Sequence, residues 1–225
     1  MMKPHTTDSC SPTAVVGSSD LAQARLAVYG FLRAALDKPT PQQHAWLAGP
    51  EFARALATAC APFGLPCPDG DLFPESFGDH ESRYLACFEV GLPAPPVPLL
   101  ASHYNTREPV PRTIHEHILF YRRFGARPAG DGVESSDHLL NELSFLIRLD
   151  ELLLAQTVEA ESIVRARHDF LARQAARWPE RAAAAAEERH LPPVYCVLLA
   201  LLAAAVRQDR ELTEAAVADL GREGQ

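Results

Sequence analysis

The sequence predicts an all-α protein, a single helical bundle domain made of two helical halves joined by a proline-rich link. Three observations carry this. Alanine and leucine dominate the apolar residues while β-branched residues are scarce, which favours helix over strand. Apolar residues recur at three- and four-residue steps along much of the chain, as one face of a helix requires. No segment shows strand-period alternation, a hairpin turn or a fixed-period repeat, which leaves helix-on-helix packing.

The elements follow in order. Residues 1–19 are rich in Ser, Thr and Pro and are expected to be a disordered tail. They contain neither a continuous apolar stretch nor a twin arginine, so no export signal is read there and the protein is expected in the cytoplasm. Asp20 is the expected cap of a first helix, with Leu21, Ala24, Val28, Phe31, Leu32 and Leu36 as its apolar face and Pro39 beyond its end. Thr40-Pro41-Gln42-Gln43 is a strong start signal: a capping Thr, Pro at the first helical position, and Gln to close the box. Gly49-Pro50 interrupts that helix, and a further segment runs over residues 51–60 before a breaker-rich stretch at 62–78. The next helix spans about 79–90, with Tyr84, Cys87 and Phe88 on one side.

The first half, residues 20–91, leads into a link at 92–109. Pro93, Pro95, Pro96 and Pro98 remove donors and fix φ, so its first part reads as a stiff, extended connector. The second half, 110–220, is more strongly patterned. Residues 110–124 form a helix with Ile114, Ile118 and Tyr121 in step, ending at Gly125. Ser135 or Ser136 is the expected cap of a long helix over 137–156, with Leu139, Leu143, Leu146, Leu149 and Leu153 down one face. Leu140, Ile147 and Leu154 widen that face into a core stripe. Further helices are expected at 159–177, 180–189, 193–207 and 211–220.

Composition narrows the function. A net charge of −8 and a pI of about 5.6 argue against a nucleic-acid partner and favour a basic ligand, such as a peptide carrying arginines. The longest apolar run, 194–206, is too short to cross a bilayer of about 30 Å, so no membrane insertion is expected. Five scattered cysteines form no C-x-x-C pair and read as free thiols in a reducing compartment. Phosphate-binding loops, the dinucleotide fingerprint and the serine-hydrolase elbow are all absent. No cofactor is expected.

Two histidine groups invite chemistry. His115 and His117 stand two apart, so on a helix their side chains point about 200° apart and cannot share an ion. His138 and Glu142 are four apart on one face, with Asp137 and Glu134 nearby. That set could hold a divalent cation or act in acid–base catalysis. Equally, Glu134 and Asp137 could complement a helix N-terminus while His138 pairs with Glu142.

Glu134-Ser135-Ser136-Asp137-His138-Leu139-Leu140-Asn141-Glu142-Leu143 resembles the E-P-x-D-H-x-x-x-E-L signature of the redox-enzyme maturation chaperones. That family includes the dedicated chaperones of trimethylamine-oxide, dimethyl-sulfoxide and nitrate reductases. Tyr84 to Gly91 is similar to the family's Y-x-x-L-F segment with its trailing glycine, and Pro95-Pro96 to Ser102-His103-Tyr104 to the proline-rich link that follows. The block Leu119 to Gly125 precedes the signature at the usual distance. Ser135 stands in place of the signature proline and Cys87 in place of the usual leucine. Tyr104 and the helix leading to Gly125 resemble most the branch serving type II enzymes of the dimethyl-sulfoxide reductase family, which act on hydrocarbons, dimethyl sulfide, selenate or chlorate.

The resemblance implies a non-catalytic protein. Such a chaperone binds the apo catalytic subunit of a molybdoenzyme, often at its twin-arginine signal peptide, until the molybdopterin cofactor is inserted, and so delays export. Tyr84, Phe88 and Tyr104 would supply an apolar wall, and Glu134, Asp137, His138 and Glu142 a charged rim, around a groove between the halves. Two alternatives stay open: an all-helical metal-dependent hydrolase using His138, Glu142 and Asp137, and a helical scaffold module. Monomer and homodimer are both compatible with the pattern.

Overall fold

Thr40 does what its sequence context asks. Its hydroxyl accepts from the Gln43 amide at 3.2 Å, starting α2 (Pro41–Leu47) one turn after α1 (Ser19–Ala35) has ended. The box closes only halfway, because the Gln43 side chain donates to the Ala34 carbonyl and so ties α2 back to α1. This computed structural model describes residues 19–66, 73, 76–126 and 135–223. The expected tail, residues 1–19, therefore lies outside the described residues apart from Ser19, which already belongs to α1.

The remaining helices are α3 (Pro50–Cys60), α4 (Phe77–Phe88), α5 (Ala101–Tyr104), α6 (Val110–Arg123), α7 (Leu139–Leu154), α8 (Ala160–Phe170), α9 (Pro179–Glu188) and α10 (Pro193–Glu223). Among the described residues there is no strand, only an isolated antiparallel bridge between Leu100 and His138. No described helix is long and apolar enough to cross a membrane. α4 is capped by Ser76, whose hydroxyl accepts from Asp79 N at 3.1 Å. α6 stops at Gly125, whose φ of 64° is the left-handed conformation that glycine adopts without penalty.

α7 is the central element. Its expected leucines are all buried, and Phe145 meets the rings of Phe120, Tyr121, Phe124 and Phe170 from α6 and α8. α1 lies along α7, α9 and α8 pack on α10, and one core takes residues from Ala22 to Val206. The link contributes to that core, with Val97 and Leu99 buried and Val97 N donating to the Cys87 carbonyl at 3.1 Å.

Four expectations need correction. The buried face of α1 is Ala22, Arg25, Tyr29 and Leu32, not the stripe through Leu21, Ala24 and Val28. The buried face of α6 is Thr113, His117 and Tyr121, with Ile114 and Ile118 only partly covered. In both helices a buried polar side chain with a distant partner rotates the face away from the purely apolar reading. The segments 193–207 and 211–220 form one continuous helix, because Asp209 between them is buried in an ion pair and not a solvated break. α8 ends early at Phe170 and continues as a wider π-type turn over Leu171–Ala175, which lets Gln174 donate to Glu116 at 2.7 Å.

Candidate partner-binding site

The signature segment is a turn zipped to the end of the link. Ala101 N donates to the Asp137 carbonyl at 3.0 Å and Leu139 N to the Leu99 carbonyl at 2.9 Å. The buried Asp137 carboxylate accepts from Ser102 N at 2.9 Å and from the Ser135 hydroxyl. Burial alone would raise its pKa, but those bonds outweigh it and hold the carboxyl below its ordinary range. Tyr121 donates to the Ser136 carbonyl and Asn141 to the Ser135 carbonyl, each at 2.8 Å. The Ser136 and Asp137 carbonyls are thereby fixed from α6 and from the end of the link, and the Ser135 carbonyl from within the motif.

His138, not Ser135 or Ser136, caps α7: its Nδ1 accepts from Leu140 N at 3.3 Å. An accepting Nδ1 is deprotonated, which agrees with burial holding the imidazole below its ordinary pKa. Four negative charges, Asp137, Glu142, Glu89 and Asp37, oppose that shift electrostatically. His138 is half-buried, as are Ser135 and Ser136, whereas Asp137, Asn141 and Glu142 are buried.

Glu142 does not pair with His138. Its two oxygens accept from His117 Nε2 at 2.8 Å and Trp178 Nε1 at 2.9 Å, both buried. His117 Nδ1 faces the Thr113 carbonyl at 2.8 Å, so that nitrogen must donate. With a carboxylate on Nε2 as well, the ring carries both protons. Burial opposes this, but the hydrogen bond and charge of Glu142 prevail and raise its pKa. Trp178 in turn stacks on Tyr104 at 5.4 Å and 15°.

The sequence-predicted site residues therefore divide. Asp137, Glu142 and Tyr104 come together around Trp178 and the Ser102 turn. Tyr84 and Phe88 belong to a second aromatic group, where the Tyr84 hydroxyl donates to the Leu36 carbonyl and Phe88 meets Tyr195 edge-on. Tyr84, Phe88 and Tyr104 are only 2, 4 and 6 % exposed, so the expected apolar wall is core, as aromatic rings with packed partners on both faces must be. Glu134 lies outside the described residues. The alternative of a metal centre on His138, Glu142 and Asp137 finds no support: the two carboxylates accept from separate donors, His138 Nδ1 faces Leu140 N, and no group of three potential ligands converges among the described residues.

Sequence reasoning missed what surrounds His138. Glu89 is exposed at the end of α4 and Asp37 half-exposed after α1. Directly after Glu89, Val90 is 63 % and Leu92 is 100 % exposed, two of the few large apolar side chains left in water. Two exposed hydrophobes inside an otherwise turn-like run were the available signal.

It also missed a buried ionic quartet under the α1–α7 contact. Asp150 takes Arg25 at 2.5 Å and Arg167 at 2.7 Å, while Asp209 takes Arg167 at 2.5 Å and the Tyr29 hydroxyl at 2.8 Å. Burial alone would lower the Arg167 pKa, but the two aspartates raise it. The signal was a charge interrupting each apolar stripe, of opposite sign on different helices.

Comparison with known proteins bears on what this arrangement serves. Residues 50–184 match the family model described as nitrate reductase delta subunit, a region holding both the Tyr84 segment and the signature. The chain is 30 % identical over 181 residues to a perchlorate reductase assembly chaperone protein of Dechloromonas aromatica (strain RCB), covering 73 % of this chain and 79 % of that one. It is 34 % identical over 101 residues to a selenate reductase assembly chaperone protein of Thauera selenatis, covering 44 % and 52 % respectively. No solved structure gives a significant match. The chain thus belongs to the nitrate reductase delta subunit family, and so to the redox-enzyme maturation chaperones rather than to the enzymes they serve.

Proposed function

We propose that this protein is the system-specific chaperone of one molybdenum oxidoreductase, of the branch that includes perchlorate and selenate reductases. It binds the apo catalytic subunit in the cytoplasm, assists insertion of the molybdopterin cofactor and delays export through the twin-arginine route. The observation that carries this reading is the signature turn, rigidly bonded from beneath, with the half-buried His138 in the field of the Glu89 and Asp37 carboxylates. A signal peptide presents arginines next to an apolar helix-forming stretch. Asp37 and Glu89 suit the arginines, and Val90 with Leu92 suits the apolar stretch. Asp137, Glu142, Tyr84, Phe88 and Tyr104 contribute by holding that surface in shape.

The test is affinity capture from the native bacterium, with bound proteins identified by mass spectrometry. One apo molybdoenzyme catalytic subunit should be enriched. Variants H138A and E89Q/L92S should lose about tenfold or more of it, the effect of removing a charged hydrogen-bond partner at an interface. The thermal midpoint of E89Q/L92S should stay near that of the parent, because these side chains are exposed, whereas H138A also removes the cap of α7 and should lose a few degrees. Capture of no oxidoreductase subunit would overturn the reading, and capture indifferent to these variants would move the interface elsewhere.

A further inference from the structure

The apolar stripe of α1 that the sequence pattern places in the core borders a groove instead. Leu21, Ala24 and Val28 line it together with Ala205 and Leu212 of α10 and Phe63 from the turn after α3. Leu21, Val28, Phe63 and Leu212 are only partly buried and Ala24 is exposed. The buried Arg25, Tyr29 and Asp209 border the same groove. It therefore lies over the ion pairs that join α1, α7, α8 and α10.

Size and chemistry restrict what can fill it. Its volume of about 70 Å³ admits aliphatic side chains but falls well below the roughly 300–1,000 Å³ of small-molecule sites. Among the described lining residues, Gln208 is the only exposed polar side chain, so the occupant is apolar. Residues 1–18 lead into α1 at Ser19, two positions before Leu21. Ala14-Val15-Val16 is the one run of three apolar residues in that segment, and Gly17, which permits a reversal of the chain, follows it. Three extended residues span about 10 Å, and Leu21 to Val28 on a helix span about 10 Å as well. A segment tethered at the groove's edge acts at an effective concentration of order millimolar. A separate molecule would first have to give up its translational freedom.

We propose that Ala14-Val15-Val16 of the same chain seats in this groove, running back along α1 with Val16 over Leu21, Val15 over Ala24 and Ala14 over Val28. Seated there, it covers the seam between the first and last helices. It also keeps water from the ion pairs of Arg25 and Asp209, whose attraction strengthens as the surrounding dielectric falls. None of these residues belongs to the proposed client surface.

Disulfide trapping in the full chain tests this. In a Cys10→Ser background, Val15→Cys is combined with Ala24→Cys, or with Gln23→Cys as the control. Gln23 is equally exposed but lies about 100° round the helix from Ala24, away from the groove. Under oxidised glutathione the Ala24 pair should link within one chain at least about tenfold faster than the Gln23 pair, at a rate independent of protein concentration, with the link located by peptide mass. Equal rates for the two pairs, or no link in either, would overturn the proposal. So would covalent dimers, which would seat a second copy in the groove. As a second measurement, Val15→Ser with Val16→Ser should lower the thermal midpoint by a few degrees, and by clearly less in a Leu212→Ser chain, whose groove has already lost part of its apolar wall. The same loss in both chains would also count against the seat.

Discussion

At the scale of single residues, Glu142 supports more than any other side chain of the signature. Replacing it by Leu leaves the His117 imidazolium and the Trp178 N–H buried without an acceptor, so a loss of about 3–5 kcal/mol in urea unfolding is expected. The same pair sets a pH dependence. The folded pKa of His117 lies above its ordinary 6.5, so its stabilisation is fully present below about pH 6.5 and fades as pH rises through the folded value. The stability gap between the parent and H117Q should narrow on going from pH 6 to pH 9, and a constant gap would refute the charged pairing. His80 behaves oppositely. Burial first, then the charges of His44 and Arg83, bring its pKa down to about 4. Its contribution is present above about pH 6.5 and is lost as pH falls towards 4, consistent with its Nδ1 lying 3.0 Å from that of His44, where both cannot carry protons. None of these partners could be read from the sequence, since Glu142 stands 25 residues from His117 and 36 from Trp178. The motif singled out Asp137, His138 and Glu142, but spacing alone suggested a His138–Glu142 pair that the fold does not make.

At the scale of elements, the quartet of Arg25, Asp150, Arg167 and Asp209 binds α1, α7, α8 and α10 together. Asp150→Leu alone should cost about 3–5 kcal/mol, because two guanidiniums lose their counter-charge in the core. Arg25→Met combined with Asp150→Leu should cost clearly less than the sum of the two single changes. Additive losses in that double-mutant cycle would show that the pairs act independently. The link offers a second check. A β-carbon on Gly91 would run into the Ala94 carbonyl oxygen and lie 2.7 Å from Pro95 Cα, backbone atoms that cannot move aside cheaply. Gly91→Ala should therefore lower the thermal midpoint by several degrees, the effect of about 1–3 kcal/mol on a domain this size. Helix starts such as Thr40-Pro41 and stops such as Gly125 were legible because they depend on neighbours in the chain. The faces of α1 and α6 were not, because Arg25 and His117 read as solvent-facing until their partners are known.

At the scale of the whole molecule, the proposed client surface and the stabilising contacts fall on different side chains. Asp137 and Glu142 are buried, while His138 is half-buried and feels the charges of Glu89 and Asp37, and Val90 and Leu92 are exposed after Glu89. The expected outcome is a split: inward changes lower the unfolding midpoint, whereas E89Q/L92S leaves it within a degree or two and affects client capture alone. Circular dichroism melts alongside the capture assay test this, and an E89Q/L92S variant that unfolds early would place those side chains with the structural residues.

By itself the sequence determined the helical class, most helix limits, the core role of α7 and the family, because propensity, capping and motif order are local properties of the chain. The tertiary structure decided which polar residues are buried, which face each helix turns inward, and where acid and exposed apolar groups meet. Those outcomes depend on pairs such as Arg25 with Asp150, 125 residues apart, and a charge is stable in the core only when such a partner arrives there with it.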